Sequence, residues 1–183
     1  ITKNKCIFIK KIDHKKIHFA NPENIAIMNV ECGNVIIELY PNFSPKAVER
    51  FKYLIKKGSY NKSSFYKVIK DTLVQAGDIE FGNIDSINYF KVGSGKSGLG
   101  KLDSELNDDF KFDEGSIALA RGTELNTEDS EFFIILKKID LYNGEYTPIG
   151  KVIHGLEALK KIKSANKSEY VLRPDFINYI KLL

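Results

Sequence analysis

The sequence predicts a mainly β protein, a barrel with helices capping its ends. Three observations carry this. Short apolar runs recur along the whole 183-residue chain, several alternating apolar and polar residues as half-buried strands do. Only two stretches show helical spacing. Glycine, proline and asparagine punctuate the runs at turn-like intervals. Many short strands with few helices are accommodated by a sheet curled on itself.

Residues 1–24 read as an extended basic arm, with room for one or two short strands near Ile7–Ile9 and Ile17–Phe19, and Pro22 breaks the run. The remaining residues, 25–183, read as one domain. Residues 25–40 read as a hairpin. Ile25, Ile27 and Val30 mark the first strand, and Val35, Ile37 and Leu39 the second. Gly33 and Asn34 between them are suited to the positive φ of a tight turn. Alternation predicts one buried face for each strand.

A helix follows. Ser44 is a natural N-cap and Pro45 fits the first helical position. Phe43 and Val48 are spaced for a hydrophobic staple. Ala47, Phe51, Leu54 and Ile55 form one apolar face, and Gly58 closes the helix. Further strands are predicted at Phe65–Ile69, Leu73–Gly77, Ser116–Ala120, Phe132–Leu136, Ile149–Val152 and Phe176–Leu182. A short helix is predicted over Leu156, Leu159 and Ile162. Residues 79–114 read as one long loop of a length that is usually functional or mobile.

Composition excludes several function classes. Lys and Arg total 28 against 24 Asp and Glu, a net charge of +4, which is too mild to call for a nucleic-acid partner. Lys10, Lys11, Lys15 and Lys16 read as a solvated face. No apolar run approaches the roughly 18 residues of a membrane span. Cys6 and Cys32 have no Cys or His neighbour at metal-ligand spacing, so no metal is expected. A disulfide between them, if the protein is exported, and two buried thiols both stay open. The chain begins at Ile1 rather than Met, as a processed or trimmed product would.

Other motifs do not develop into sites. Gly93-Ser94-Gly95-Lys96-Ser97-Gly98 has the G-x-G-x-x-G spacing, but no helix follows to face a phosphate. Phe90 stands where a phosphate loop needs its first glycine. His14, His18 and His154 have no Ser or Cys partner suggested by spacing. Asp103, Glu105, Asp108, Asp109, Asp113 and Glu114 lack calcium-loop spacing and read as a solvated loop.

Five segments, in order, resemble the cyclophilins. They are Gly33–Leu39, Ser44–Phe51, Phe65–Ile69 with Gln75-Ala76-Gly77-Asp78, Gly115–Arg121 with Asn126–Ile134, and Gly150–Glu157. Leu119-Ala120-Arg121, Tyr146 and Arg173-Pro174-Asp175 are similar to a bacterial, often exported branch. The resemblance implies a closed eight-stranded antiparallel barrel capped by two α-helices. It also implies a peptidyl-prolyl cis-trans isomerase acting on proline-containing polypeptides, without cofactor, as a monomer, in the periplasm or otherwise exported.

The chemistry needs no covalent step. Partial double-bond character gives the peptide bond a barrier of roughly 18–20 kcal/mol, and a catalyst must hold the twisted form better than the planar ones. An apolar pocket for the proline ring and a fixed donor beside the imide nitrogen do this. The resemblance places the donor at Lys67, where the family has Arg. It places the pocket and groove at Thr72, Leu73, Gln75, Ala120, Arg121, Gly122, Glu131, Phe133, Leu141, Tyr142 and Tyr146. Thr72 replaces an aromatic, Glu131 replaces Gln, and Leu141 stands where an aromatic is common. Lys lacks the planar fork of Arg, and loss of a well-placed donor costs about 2.7–4 kcal/mol. A rate loss of roughly tenfold to a thousandfold is expected, with part recovered by Lys. Weak or no cyclosporin binding is expected from Leu141. A proline-peptide binder or scaffold with poor catalysis is the alternative.

Overall fold

The computed structural model describes residues 4–183, so the first three residues of the predicted arm lie outside the described ones. Eight antiparallel strands form one curved sheet: β1 (Ile25–Val30), β2 (Gly33–Leu39), β3 (Lys67–Ile69), β4 (Leu73–Ala76), β5 (Ser116–Leu119), β6 (Phe132–Ile135), β7 (Pro148–His154) and β8 (Tyr179–Leu182). Their spatial order is β3-β4-β6-β5-β7-β2-β1-β8. Two helices, α1 (Pro45–Lys56) and α2 (Leu156–Leu159), complete the fold. Both send buried residues, Phe51, Leu54 and Leu159 among them, into the core lined by the inner faces of the strands.

The predicted closed barrel is an open one, because β3 and β8 stand at the two ends of the strand order without pairing. The gap is spanned by an irregular segment. Val68 N–H donates to Glu169 O at 2.8 Å, Val171 N–H to Tyr66 O at 2.9 Å and Phe65 N–H to Asp175 O at 2.9 Å. Among the described residues only isolated bridges, Lys67 with Tyr170 and Ser64 with Phe176, form there. Arg173 sits at φ 49° and Pro174 has no N–H to donate, so a continuous ladder cannot run through this segment. The last strand accordingly begins at Tyr179 rather than Phe176.

The β1–β2 hairpin departs from expectation in two ways. Val30 pairs with Gly33, so the turn residues are Glu31 and Cys32. Gly33 alone takes a positive φ, 126°. In addition, β1 is buried on both faces. Ala26, Met28 and Val30 face the core, while Ile25, Ile27 and Ile36 on the outer face are covered by Ile12 and Phe19 of the arm, with Ile153. Residues 4–24 form no strand. They carry short 3-10 turns at His14–Lys16 and Pro22–Asn24 and lie against the sheet. Cys6 and Cys32 are joined as a disulfide, which ties the arm to the hairpin tip. Lys5 adds an ion pair to Glu31 at 2.9 Å and another to Asp175.

Helix α1 is capped by a residue distant in sequence. Ser44 is fully buried and spends its hydroxyl on Pro148 O. The free N–H groups of Lys46 and Ala47 are taken by the Glu105 carboxylate at 2.9 and 3.0 Å, a charge-favourable contact at a helix N-terminus. Glu105 is therefore a cap and not simply solvated. Phe43 packs with Tyr40 and Phe110, while Val48 belongs to the main core, so the staple does not form. Gly58, at φ 70°, ends the helix as expected.

The disulfide closes a loop across 26 residues and restricts the unfolded chain. Replacing Cys6 and Cys32 together by Ser is expected to lower the unfolding free energy by about 2–4 kcal/mol in a denaturant titration. An unchanged midpoint would contradict that role.

Candidate functional site

A strand's side chains alternate between faces, and in β6 this separates core from surface. Phe132 and Ile134 point into the main core. Phe133 and Ile135 point outward, into a second apolar cluster with Leu73, Phe110, Phe112 and Ala118. The same alternation in β4 sends Val74 and Ala76 inward and leaves Leu73 and Gln75 outward, as it leaves Lys67 outward in β3. Register then sets these outward residues in one row. Lys67 pairs with Gln75, Gln75 with Phe133, and Phe133 with Ala118. Three predicted site residues, a cation, an amide and an apolar ring, thus stand side by side across three strands.

Aromatic rings build the apolar end of this row. Tyr146 and Tyr142 meet Phe133 edge to face, at centroid distances of 5.1 and 5.8 Å, and each other at 4.9 Å. Ala120 packs against the same cluster. Edge-to-face contacts of this kind lock ring orientations. Arg121 ties two loops together across the cluster. Its guanidinium lies 5.1 Å from the Tyr146 ring centroid and donates to Glu145 O and Gly122 O, each at 3.0 Å. Gly122 N–H is in turn fixed on Thr127 Oγ1 at 2.8 Å.

At the polar end, Lys67 is half-buried and its ammonium lies 3.6 Å from the Glu169 carboxylate. Glu131 is half-buried beside the row, and Ala120 N–H donates to its backbone carbonyl at 2.8 Å. The Tyr66 hydroxyl donates to Glu131 Oε1 and accepts from Gln75 Nε2 at 2.6 Å.

Two predicted residues stand outside this grouping. Leu141 is 87% exposed in a 3-10 turn, Asp140–Tyr142. Thr72 lies in the β3–β4 turn with its hydroxyl donated to Lys70 O at 3.1 Å.

The glycine run of the long loop serves an internal anion. Gly93 and Gly95 N–H groups donate to Asp78 Oδ2 at 2.7 and 3.1 Å, and Phe81 N–H to Asp78 Oδ1 at 2.8 Å. A side chain at Gly95 would place its Cβ 1.9 Å from Asp78 Oδ1, so only glycine fits. Ser97 binds Asp129 through its N–H at 2.8 Å and through its hydroxyl at 2.5 Å. The backbone groups that a phosphate loop would offer a ligand are spent on the protein's own carboxylates, as the missing helix foretells. Tyr66, Asp78 and Glu169 were not legible as site residues. Tyr66 and Asp78 lie in the quoted segments, but nothing in their spacing reveals a reach across strands.

Lys67 and Gln75 are half-buried, while Phe133 is 4% exposed against the rings of Tyr142 and Tyr146. A family model described as cyclophilin type peptidyl-prolyl cis-trans isomerase/CLD matches residues 25–181. The chain belongs to the cyclophilin family. A probable peptidyl-prolyl cis-trans isomerase of Brucella suis biovar 1 (strain 1330) is 37% identical over 161 residues, covering 86% of this chain and 82% of that one. Peptidyl-prolyl cis-trans isomerase-like 1 of Homo sapiens is 26% identical over 164 residues, covering 87% of this chain and 91% of that one. The fold is similar to a crystal structure of a cyclophilin type peptidyl-prolyl cis-trans isomerase from Cryptosporidium parvum, obtained in the presence of the dipeptide Ala-Pro. The TM-score is 0.74 at 28% identity, over 87% of this chain and 98% of that one.

Beside the row of Lys67, Gln75 and Phe133, burial pushes the Glu131 carboxyl up to about 8 from its ordinary 4.5. The Tyr66 hydrogen bond and the Lys96 ammonium oppose that rise, and the Asp78 and Asp129 carboxylates add to it. A raised carboxyl favours the fold while the unfolded chain is also protonated, below pH 4.5. That contribution is lost as pH rises to about 8 and beyond. Glu131→Gln has no proton to lose. Its stability relative to wild type is therefore expected to improve steadily between pH 4.5 and 8 and then level off. Denaturant titrations across that range check this, and a difference independent of pH would contradict it.

Proposed function

We propose that the Lys67–Gln75–Phe133 row is where this cyclophilin accelerates rotation about X-Pro bonds in polypeptide substrates. The observation that carries the reading is the cross-strand register, which lays a cation, an amide and an apolar ring beside one another on one outward face. The proline ring rests on Phe133, with Leu73, Tyr142 and Tyr146 around it. Gln75 bonds the substrate backbone. Ala120, Arg121 and Gly122 border the groove for the residue before proline. Lys67 donates to the imide nitrogen as conjugation is lost, which stabilises the twisted bond over either planar form.

Lysine is a weaker donor than arginine at such a position. It is a hydrated point charge on a flexible stem, and here Glu169 competes for it at 3.6 Å. Activity is accordingly reduced relative to an arginine-bearing site. An exported protein fits this reading, since the Cys6–Cys32 bridge calls for an oxidising compartment. Cyclosporin binds weakly, because exposed Leu141 offers no aromatic wall.

Cis–trans exchange of a proline peptide, followed by NMR, tests the reading. Wild type is expected to speed exchange, Lys67→Ala to abolish the effect, and Lys67→Arg to raise it roughly tenfold or more. Peptide binding without faster exchange would leave a proline-peptide binder and remove the isomerase reading. For cyclosporin, a sub-micromolar dissociation constant by calorimetry would contradict the role given to Leu141.

A further inference from the structure

We infer that Tyr66 is a positioning residue for this reaction: its hydroxyl, anchored on Glu131, holds the Gln75 amide so that the amide oxygen faces the incoming peptide backbone. The inference rests on the proposed site and deepens it, because it concerns a residue that itself touches no substrate.

The ring of Tyr66 has little freedom. It is 1% exposed and stacks on Tyr170 with centroids 6.1 Å apart. The Gly93 loop presses on its edge, where a Cβ on Gly93 would lie 3.2 Å from Tyr66 Cε2. The hydroxyl is therefore delivered to one place. A phenol has a single proton and can also accept. Here the proton goes to Glu131 Oε1, and the lone pair accepts from Gln75 Nε2 at 2.6 Å.

That pair of hydrogen bonds places the nitrogen end of the amide against the phenol. With its proton on Glu131 Oε1, the phenol accepts from the nitrogen end of Gln75. Its oxygen end is then left to the groove. Among the described residues Gln75 Oε1 accepts no hydrogen bond, and it belongs to the residue that pairs with Lys67 across β3 and β4. A peptide N–H needs such an acceptor. With the hydroxyl removed, the amide is free to turn, and the turned form meets a peptide N–H with its own N–H₂. Loss of a fixed orientation in a reacting site lowers rate without any loss of contact area. Burial, reinforced by the neighbouring Glu131, raises the Tyr66 phenol well above its ordinary value. Its proton therefore stays in place through the neutral range.

A double-mutant cycle on kcat/KM for a proline peptide tests the inference, because a residue acting through Gln75 loses its effect when Gln75 is gone. Tyr66→Phe is expected to lower kcat/KM by roughly two- to tenfold in the wild-type background, the worth of one hydrogen bond. In the Gln75→Ala background it is expected to change kcat/KM less than twofold. Equal losses in both backgrounds, or no loss in either, would overturn the inference. If Tyr66→Phe does not fold, Glu131→Leu keeps the phenol, removes its anchor, and runs the same cycle with the same expectation. If wild type binds the peptide without speeding exchange, the isomerase reading fails separately. The cycle is then read on peptide affinity, where the same coupling is expected and additive losses overturn the inference.

Discussion

Phe132 and Phe133 are neighbours in sequence, yet one fills the barrel and the other packs in the outer aromatic cluster. Strand alternation forces this, and most of the architecture depends on it. The inner row of β4 and β6, with Val74, Ala76, Phe132 and Ile134, belongs to the main core. The outer row belongs to a second cluster that is closed from outside by the aromatic rings around Phe112, Tyr142 and Tyr146. Because packing of the inner row fixes the strands, it also fixes the register of the outer one. A slip of one residue would exchange the core row and the outer row. The alignment of Lys67, Gln75 and Phe133 is thus a by-product of core packing.

The long segment between β4 and β5 has a matching logic. It carries glycines and acidic residues that look like a ligand loop in isolation. Its N–H groups instead bind Asp78 and Asp129, and its Glu105 caps α1. Arg50 of α1 donates to Gly100 O at 2.9 Å and pairs with Asp129, the carboxylate that Ser97 binds, so the loop is held to the helix at a second place besides Glu105. Its order comes from hydrogen bonds to carboxylates rather than from strands, and its Gly93 backs the Tyr66 ring without regular structure of its own.

Local pattern made much of this legible. The helix over Pro45–Lys56, the β3–β4 pair and the strand through Phe133 follow from spacing and punctuation. The cyclophilin resemblance supplied the candidate site residues, and the cross-strand row brings Lys67, Gln75 and Phe133 together. What was not legible depends on contacts distant in sequence. Burial of β1 on both faces needs Ile12 and Phe19 from the arm. The cap on α1 needs Glu105 in place of Ser44. The open edge of the sheet is decided by Arg173 and Pro174, which interrupt an otherwise plausible strand. Tyr66 was quoted as part of a motif, but its hydroxyl reaches Glu131 across 65 residues of sequence, and no periodicity carries such information.

The central claim is that the outward face of β3, β4, β6 and β5 receives the proline peptide. The most direct measurement is mapping of backbone amide shifts while a proline peptide is titrated into the protein. The account predicts that the perturbed amides cluster at Lys67, Gln75, Ala120, Phe133 and Tyr146. Shifts confined to the exposed face of α1 or to the arm, with the row of Lys67, Gln75 and Phe133 unmoved, would contradict it.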